Sequence, residues 1–429
     1  MKINLLREQL TKISKNQLVM GSGILFFGSL LGNFSNYLFH LLMGRMLGPI
    51  DYGALAALIG VAYLLSIPIA TIRLVVTKFV SELRGQGKLL VVDYFYQWTI
   101  KKALVFGSLI LLIFLIISPL TTSFLHLQSN FFLFFIGLSS FLSLFLYINL
   151  ATLQGFLFFK RYFLAETSAF IIKLVLSIFL VYLGYQIFGA LTAVVIGSAI
   201  GFILSFWFVK KILGKKIEKN DFNERKVVIY ALPVFLSILA FTSLYTTDIV
   251  LARHFLSAQE AGFYAALAVL GKIIFFGSMP VSLVMFPMVS EHEARGKQYQ
   301  KLLFQSLGLV LFVCLGITSV YFLFPKLMIN ILYGRQYLSA THALPLFAVF
   351  FSLYSLTYLL VNYYLSIKKT RVVFFPSIAA LAQIIFLSIF HQNLTEMIWV
   401  SITVLIGLLI SLSGYYLWES KKLSLAFKN

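Results

Sequence analysis

Residues 37–58 read YLFHLLMGRMLGPIDYGALAAL, and residues 245–270 read YTTDIVLARHFLSAQEAGFYAALAVL. Set one above the other, Tyr37 meets Tyr245, His40 meets Asp248 and Arg45 meets Arg253, all at an offset of 208 residues. Gly53 then meets Gly262, Ala56 and Ala57 meet Ala265 and Ala266, and Leu58 meets Leu267, at an offset of 209. The match resumes one apolar stretch later, where Val80, Ser81 and Glu82 answer Val289, Ser290 and Glu291. An offset held this nearly constant across several segments marks an internal repeat with one residue inserted in a loop.

The medium in which the repeat folds follows from composition. The chain has 429 residues, of which 60% are hydrophobic and only 11% charged. That is more apolar than a soluble domain. Runs of about 20 apolar residues, each long enough to cross the roughly 30 Å hydrocarbon layer as a helix, recur at 18–42, 53–75, 98–120, 131–155, 163–185, 187–209, 228–251, 262–287, 303–324, 341–366, 372–390 and 395–417. Only Gly184, Tyr185 and Gln186 mark a turn between the fifth run and the sixth. The first 17 residues are basic, but the run that follows is too long for a signal-peptide core and lacks a cleavage pattern, so it counts as a span. The reading is an all-α integral membrane protein of twelve transmembrane helices. The repeat offset covers six spans, an even number, so the halves enter the bilayer in the same orientation as parallel repeats. An N-terminal six-helix bundle is expected over 1–209, a basic linker over 210–227 and a C-terminal six-helix bundle over 228–429. Pro68, Pro233, Pro280 and Pro287 fall inside spans, where each removes a backbone donor and invites a kink.

A net charge of +20 raises the question of nucleic acid, and its distribution answers against it. With the N-terminus cytoplasmic, 27 of the 34 basic residues fall in cytoplasmic segments, and Arg45, Arg253, Lys326 and Arg335 fall on the other side. This is the positive-inside pattern, which places both termini in the cytoplasm of a multi-pass cell-membrane protein. The remaining attraction is for anionic lipid headgroups. Cys314 is the single cysteine and forms no intrachain disulfide. There is no Walker loop, HExxH, GxSxG or Cys/His metal constellation, so neither catalytic residues, metal ligands nor a cofactor are expected, and the chain is not read as an enzyme.

Charges inside spans are the local functional signal, because exposure to hydrocarbon costs several kcal/mol. Lys173 and Lys272 lie deep in the fifth and eighth spans, and Arg73 lies nearer the cytoplasmic end of the second. The first span carries Asn36, Tyr37 and His40, and the seventh carries Tyr245 and Asp248, as two polar stripes expected to line a common cavity. Arg45 and Arg253 stand at equivalent outer ends, where guanidinium forks suit phosphate oxygens. Candidate substrate-binding residues are therefore Lys272, Lys173, Arg253, Arg45, Arg73, Tyr37, Tyr245 and Asn36. Asp248 and His40 are the candidates for coupling to a proton or sodium gradient. Helix packing, capping and snorkelling are the structural alternatives at each position.

Over essentially its whole length the chain resembles the polysaccharide-export branch of the multidrug/oligosaccharidyl-lipid/polysaccharide (MOP) exporter superfamily, the Wzx-like flippases related to the MATE transporters. The resemblance rests on the two opening stretches, on FVSELRGQGK (79–88) and MVSEHEARGK (288–297), and on ILYGRQYLSATHALPLFAVF (331–350). It implies two six-helix bundles around a V-shaped cavity and transport of polyprenyl-pyrophosphate-linked oligosaccharide from the inner to the outer leaflet by alternating access. Implied partners are that glycolipid, membrane lipids, and a polysaccharide polymerase or glycosyltransferases. The two additional C-terminal helices of lipid II flippases are not expected. Cation-coupled efflux of drugs or metabolites is the alternative, and would favour acidic cavity residues. A non-transporting scaffold for polysaccharide synthesis is the other.

Overall fold

The computed structural model describes residues 15–214, 224–295 and 298–426. Lys2, Arg7 and Lys12, the linker stretch 215–223, Lys297 and Lys428, all used in reading the charge pattern, lie outside the described residues. The described chain is helical, because a backbone in lipid must satisfy its own hydrogen bonds.

The helices are α1 (Lys15–Gly85), α2 (Leu89–Ile116), α3 (Ser118–Phe124), α4 (Phe131–Gly155), α5 (Phe159–Leu180), α6 (Gln186–Lys210), α7 (Glu224–Leu244), α8 (Thr247–Phe255), α9 (Ala258–Ala294), α10 (Gln300–Leu323), α11 (Pro325–Leu332), α12 (Leu344–Ser366), α13 (Phe374–Ile389) and α14 (Leu394–Ala426). Among the described residues ten stretches are long and apolar enough to span a bilayer, and two of them, Leu31–Gly85 with 55 residues and Phe159–Lys210 with 52, have the length of two spans each. Twelve crossings result.

Each double-length stretch turns on a glycine. In α1 the turn is Gly48, at φ 76° and ψ 174°, a conformation that costs glycine little and other residues a great deal. Pro49 follows it, where a missing N–H is harmless because the first turn of a helix leaves that donor unused. Between α5 and α6 the turn is Gly184, at φ 91°. The second repeat makes the α1 turn with different chemistry: Leu256 is extended, and Ser257 caps α9 by accepting the Glu260 N–H at 3.3 Å.

The seventh span departs from expectation. Sequence predicts one helix through 228–251, but α7 ends at Leu244 and α8 begins at Thr247. The chain runs helically through Pro233, Pro280 and Pro287 and breaks instead at Tyr245 and Thr246. Ser243 and Thr247 hydroxyls bond each other across the break at 2.9 Å, a local alternative to helical pairing that such residues offer.

Two compact units emerge. The first comprises Met1–Met46 and Val61–Phe235, and the second Leu47–Gly60 and Leu236–Asn429. In the first unit, Asn149 is fully buried on α4 and joins three helices. It accepts the Tyr96 hydroxyl of α2 at 2.7 Å and donates to Ser205 of α6 at 3.1 Å. Small residues let α5 and α6 touch: a Cβ on Gly197 would lie 2.7 Å from the Ala169 carbonyl, the kind of contact on which membrane helices associate.

The second unit takes residues 47–60 from the first repeat, and here the two repeated motifs meet. A Cβ on Gly53 would lie 2.8 Å from the Gly262 nitrogen, and one on Gly262 would lie 1.9 Å from the Pro49 carbonyl. The glycines aligned at the outset are thus aligned because neither backbone leaves room for a side chain. Elsewhere in this unit buried tyrosines spend their hydroxyls on neighbouring carbonyls: Tyr321 on Leu270 at 3.0 Å, Tyr354 on Phe241 at 3.2 Å and Tyr364 on Leu412 at 3.1 Å.

Candidate functional site: two intramembrane lysines

Lys173 stands in the first unit, about 15 Å along the helix from the start of the expected fifth span, near the middle of the hydrocarbon layer. Its ammonium donates to Asn36 Oδ1 at 2.6 Å, and the Asn36 amide donates onward to the Tyr63 hydroxyl at 3.2 Å. Phe39 and Phe170 present their rings to the same ammonium, at 4.6 and 5.6 Å from their centroids. Among the described residues no carboxylate comes within ion-pair distance of it. The Tyr37 hydroxyl, one residue from Asn36, is buried without a hydrogen-bond partner among the described residues. The result is a half-buried cation held by neutral groups, and a site of that kind attracts an anion.

Arg73, in the same unit, is differently placed. Its guanidinium lies 3.8 Å from Glu166 Oε1, bonds the Tyr162 hydroxyl, and rests over the rings of Tyr147 and Tyr162 at 5.3 and 5.6 Å. Tyr162 in turn donates to Glu166 at 2.7 Å. Glu166 escaped the sequence reading, although an acid two helical turns before Lys173 inside an apolar run was a visible signal. Arg73 and Glu166 neutralise each other, which leaves Arg73 with less charge to offer a ligand than Lys173. Replacing Arg73 with methionine should destabilise the protein by about 2 kcal/mol, below the roughly 3–5 kcal/mol of a fully buried pair because a third of the Arg73 side chain stays exposed. Adding Glu166→Gln should recover part of that loss in a thermal melt. A double variant whose loss equals the sum of its singles would show that the two residues do not act as a pair.

The second unit builds its lysine site around the α7–α8 break. Asp248 is fully buried in the first turn of α8, where exposed N–H groups favour a carboxylate. Its Oδ1 accepts the Ile249 N–H at 2.9 Å and its Oδ2 accepts the Tyr264 hydroxyl at 3.0 Å. Ser401 is a further hydrogen-bond partner of Tyr264 and receives the Gln383 amide at 3.0 Å. Lys272 is an electrostatic partner of Asp248, and its ammonium lies 5.1 Å from the Tyr245 ring centroid. Tyr245 leads into an aromatic wall, 5.6 Å from Tyr354 and 6.4 Å from Phe275. Tyr264 was missed from sequence because its repeat partner, Leu55, carries no polar group. This site therefore balances its lysine internally, whereas the Lys173 site does not.

The repeat-related arginines and polar residues also part company. Arg45 is exposed, while Arg253 is 7% exposed and has Asp51 as an electrostatic partner within its unit. His40 is buried, with its ring edge-on to Phe39 at 5.5 Å. Among the described residues no group of three or more His, Cys, Asp or Glu side chains is arranged to hold a metal ion.

With this geometry in place, comparison with known proteins gives a consistent answer. The family described as polysaccharide biosynthesis protein matches residues 42–342. No curated protein matches the sequence. Among solved structures, a multidrug resistance MATE family transporter of the MOP superfamily, in an inward-facing conformation, superposes with a TM-score of 0.78 at 14% identity, covering 93% of this chain and 96% of its own. The lipid II flippase MurJ, in an inward closed conformation, gives 0.67 at 16%, covering 92% and 87%. A MOP superfamily transporter from Pyrococcus furiosus, whose binding pocket is described as having reverse polarity, gives 0.67 at 18%, covering 97% and 100%. At these identities the likeness establishes the fold.

Proposed function

Since the chain belongs to the polysaccharide biosynthesis protein family and folds as a multi-pass, all-helical membrane protein of the MOP type, we propose that it carries polyprenyl-pyrophosphate-linked oligosaccharide from the inner to the outer leaflet by alternating access. The observation that carries this reading is Lys173, a cation at membrane depth whose partners are an amide oxygen and two aromatic rings. A pyrophosphate supplies the charge the site lacks, and Asn36 and Tyr63 hold the ammonium in place to receive it. Polar and aromatic side chains accommodate the glycan, and Tyr37, one residue from Asn36, is the first candidate in this unit. The second lysine already has Asp248, and that pair is where an imposed proton or sodium gradient acts, with His40 the candidate in the other repeat.

The test is movement of fluorescent sugar-linked polyprenyl pyrophosphates across liposomes holding the purified protein, with orientation and cation gradient controlled. Sugar-dependent movement is the expected result. Movement of cationic dyes alone would replace this reading with multidrug efflux; one structural relative is named as a multidrug resistance transporter. Asp248→Asn should retain glycolipid binding and lose any acceleration by the gradient. Unchanged acceleration would remove Asp248 from the coupling role.

A further inference from the structure

The first unit contains a groove of about 360 Å³ that none of the candidate site residues lines. Its long wall is α2, which lines it with two adjacent rows, one of Trp98, Lys102, Phe106, Ile110 and Phe114 and one running from Phe95 to Leu111. Each step of four residues turns the row by only about 40°, so the wall winds gradually along α2 for about 24 Å, from Trp98 to Phe114, at 1.5 Å per residue. The floor is buried and apolar, with Phe95 at 0% and Val75 and Ala103 at 5% exposure. The rim is open: Phe106 is 56% exposed, Ile110 46% and Val228, on the α7 side, 63%. Lys102 is exposed, stands 6.0 Å from the Phe106 ring and lies one turn in from the Trp98 end of the groove, the end that the positive-inside pattern assigns to the cytoplasm.

Shape and charge together restrict what fits. A groove of about 360 Å³ drawn out over about 24 Å is long and narrow, which suits a single extended hydrocarbon chain. One cation at one end suits an acidic headgroup on that chain. A phospholipid carries two chains under its headgroup, whereas a polyprenyl phosphate carries one. We propose that this groove seats the polyprenyl chain of the transported lipid, with its phosphate end toward Lys102 on the cytoplasmic side. The inference rests on the glycolipid reading above and extends it: the tail is held by the protein at loading instead of remaining in bulk lipid. Such a groove selects substrates by their lipid carrier, independently of the sugar.

Trp98 makes the proposal measurable. The chain has 4 tryptophans, so changing Trp207, Trp399 and Trp418 to phenylalanine leaves Trp98 as the sole fluorophore. In nanodiscs of zwitterionic lipid, a brominated polyprenyl phosphate without sugar should quench Trp98 saturably. Half-saturation should fall at a mole fraction at least tenfold lower than with phosphatidylcholine brominated at the same depth. Lys102→Glu should raise the half-saturation at least fivefold, and Lys102→Arg should not. Equal quenching by phosphatidylcholine would overturn the proposal, as would indifference to Lys102→Glu. If the triple variant does not fold, native mass spectrometry of the unmodified protein and its Lys102→Glu variant, counting bound polyprenyl phosphate, reads the same difference. Because the probe has no sugar, groove binding without glycolipid movement in liposomes would sink the glycan reading alone. Glycolipid movement without groove binding would sink this one alone.

Discussion

Replacing Lys173 with methionine is expected to weaken binding of a polyprenyl pyrophosphate headgroup roughly tenfold to a hundredfold, while the protein melts at the same temperature or higher. A hydrogen bond to a charged group contributes about 1.5–3 kcal/mol, and each 1.4 kcal/mol is tenfold in affinity. Stability should not suffer because the ammonium has no acidic partner to strand, and methionine fills the space between Phe39 and Phe170 without a charge to desolvate. Asn36 loses one partner but keeps its bond to Tyr63. Lys173→Arg should retain most of the binding, and rising salt should weaken the wild-type protein more than the methionine variant. A methionine variant that binds the headgroup as the parent does would remove Lys173 from the substrate site. One that fails to fold would give the lysine a structural role instead.

The second large effect is steric. Gly262→Ala should cost on the order of 3 kcal/mol or more, at or above the usual upper end for forcing a methyl group into a packed core, and folded yield should drop severalfold. The added Cβ would sit 1.9 Å from the Pro49 carbonyl oxygen and 2.5 Å from its carbon. Those are backbone atoms just after the Gly48 turn, so no side chain can rotate away to relieve the clash. Gly277 on the same helix is the control, since a Cβ there meets only the ends of Val313 and Ile317 at 3.7 and 3.8 Å. Size-exclusion profiles and melting temperatures of the two alanine variants decide the matter; comparable behaviour would mean the close approach is not what fixes this glycine.

Much of the fold was legible because lipid makes it so. Apolar runs of spanning length, a steady charge bias and a repeat period together specify twelve crossings, and none of the three depends on which helices touch. The break after Leu244 was not legible, since TSLYTT within an apolar run reads equally as a polar helix face. Packing around Asp248 and Tyr264 decides it. The candidate site was legible as a list of intramembrane charges but not as a set of pairings. Glu166 and Tyr63 became relevant only when the chain brought them beside Arg73 and Asn36.

The sequence by itself determined the medium, the number of crossings and the doubling of a six-helix plan, because hydrophobicity acts on each segment separately and a repeat is read along the chain. Tertiary structure decided which charges remain available. Lys173 and Lys272 occupy comparable depths in their spans, yet one is left among neutral groups and the other faces Asp248. Interaction between charges at close range depends on distance, and that distance is set by helices far apart in the chain. The same holds for the repeated glycines. Their alignment was written in the sequence, but the reason for it, two backbones meeting with no room for a methyl group, exists only in the folded protein.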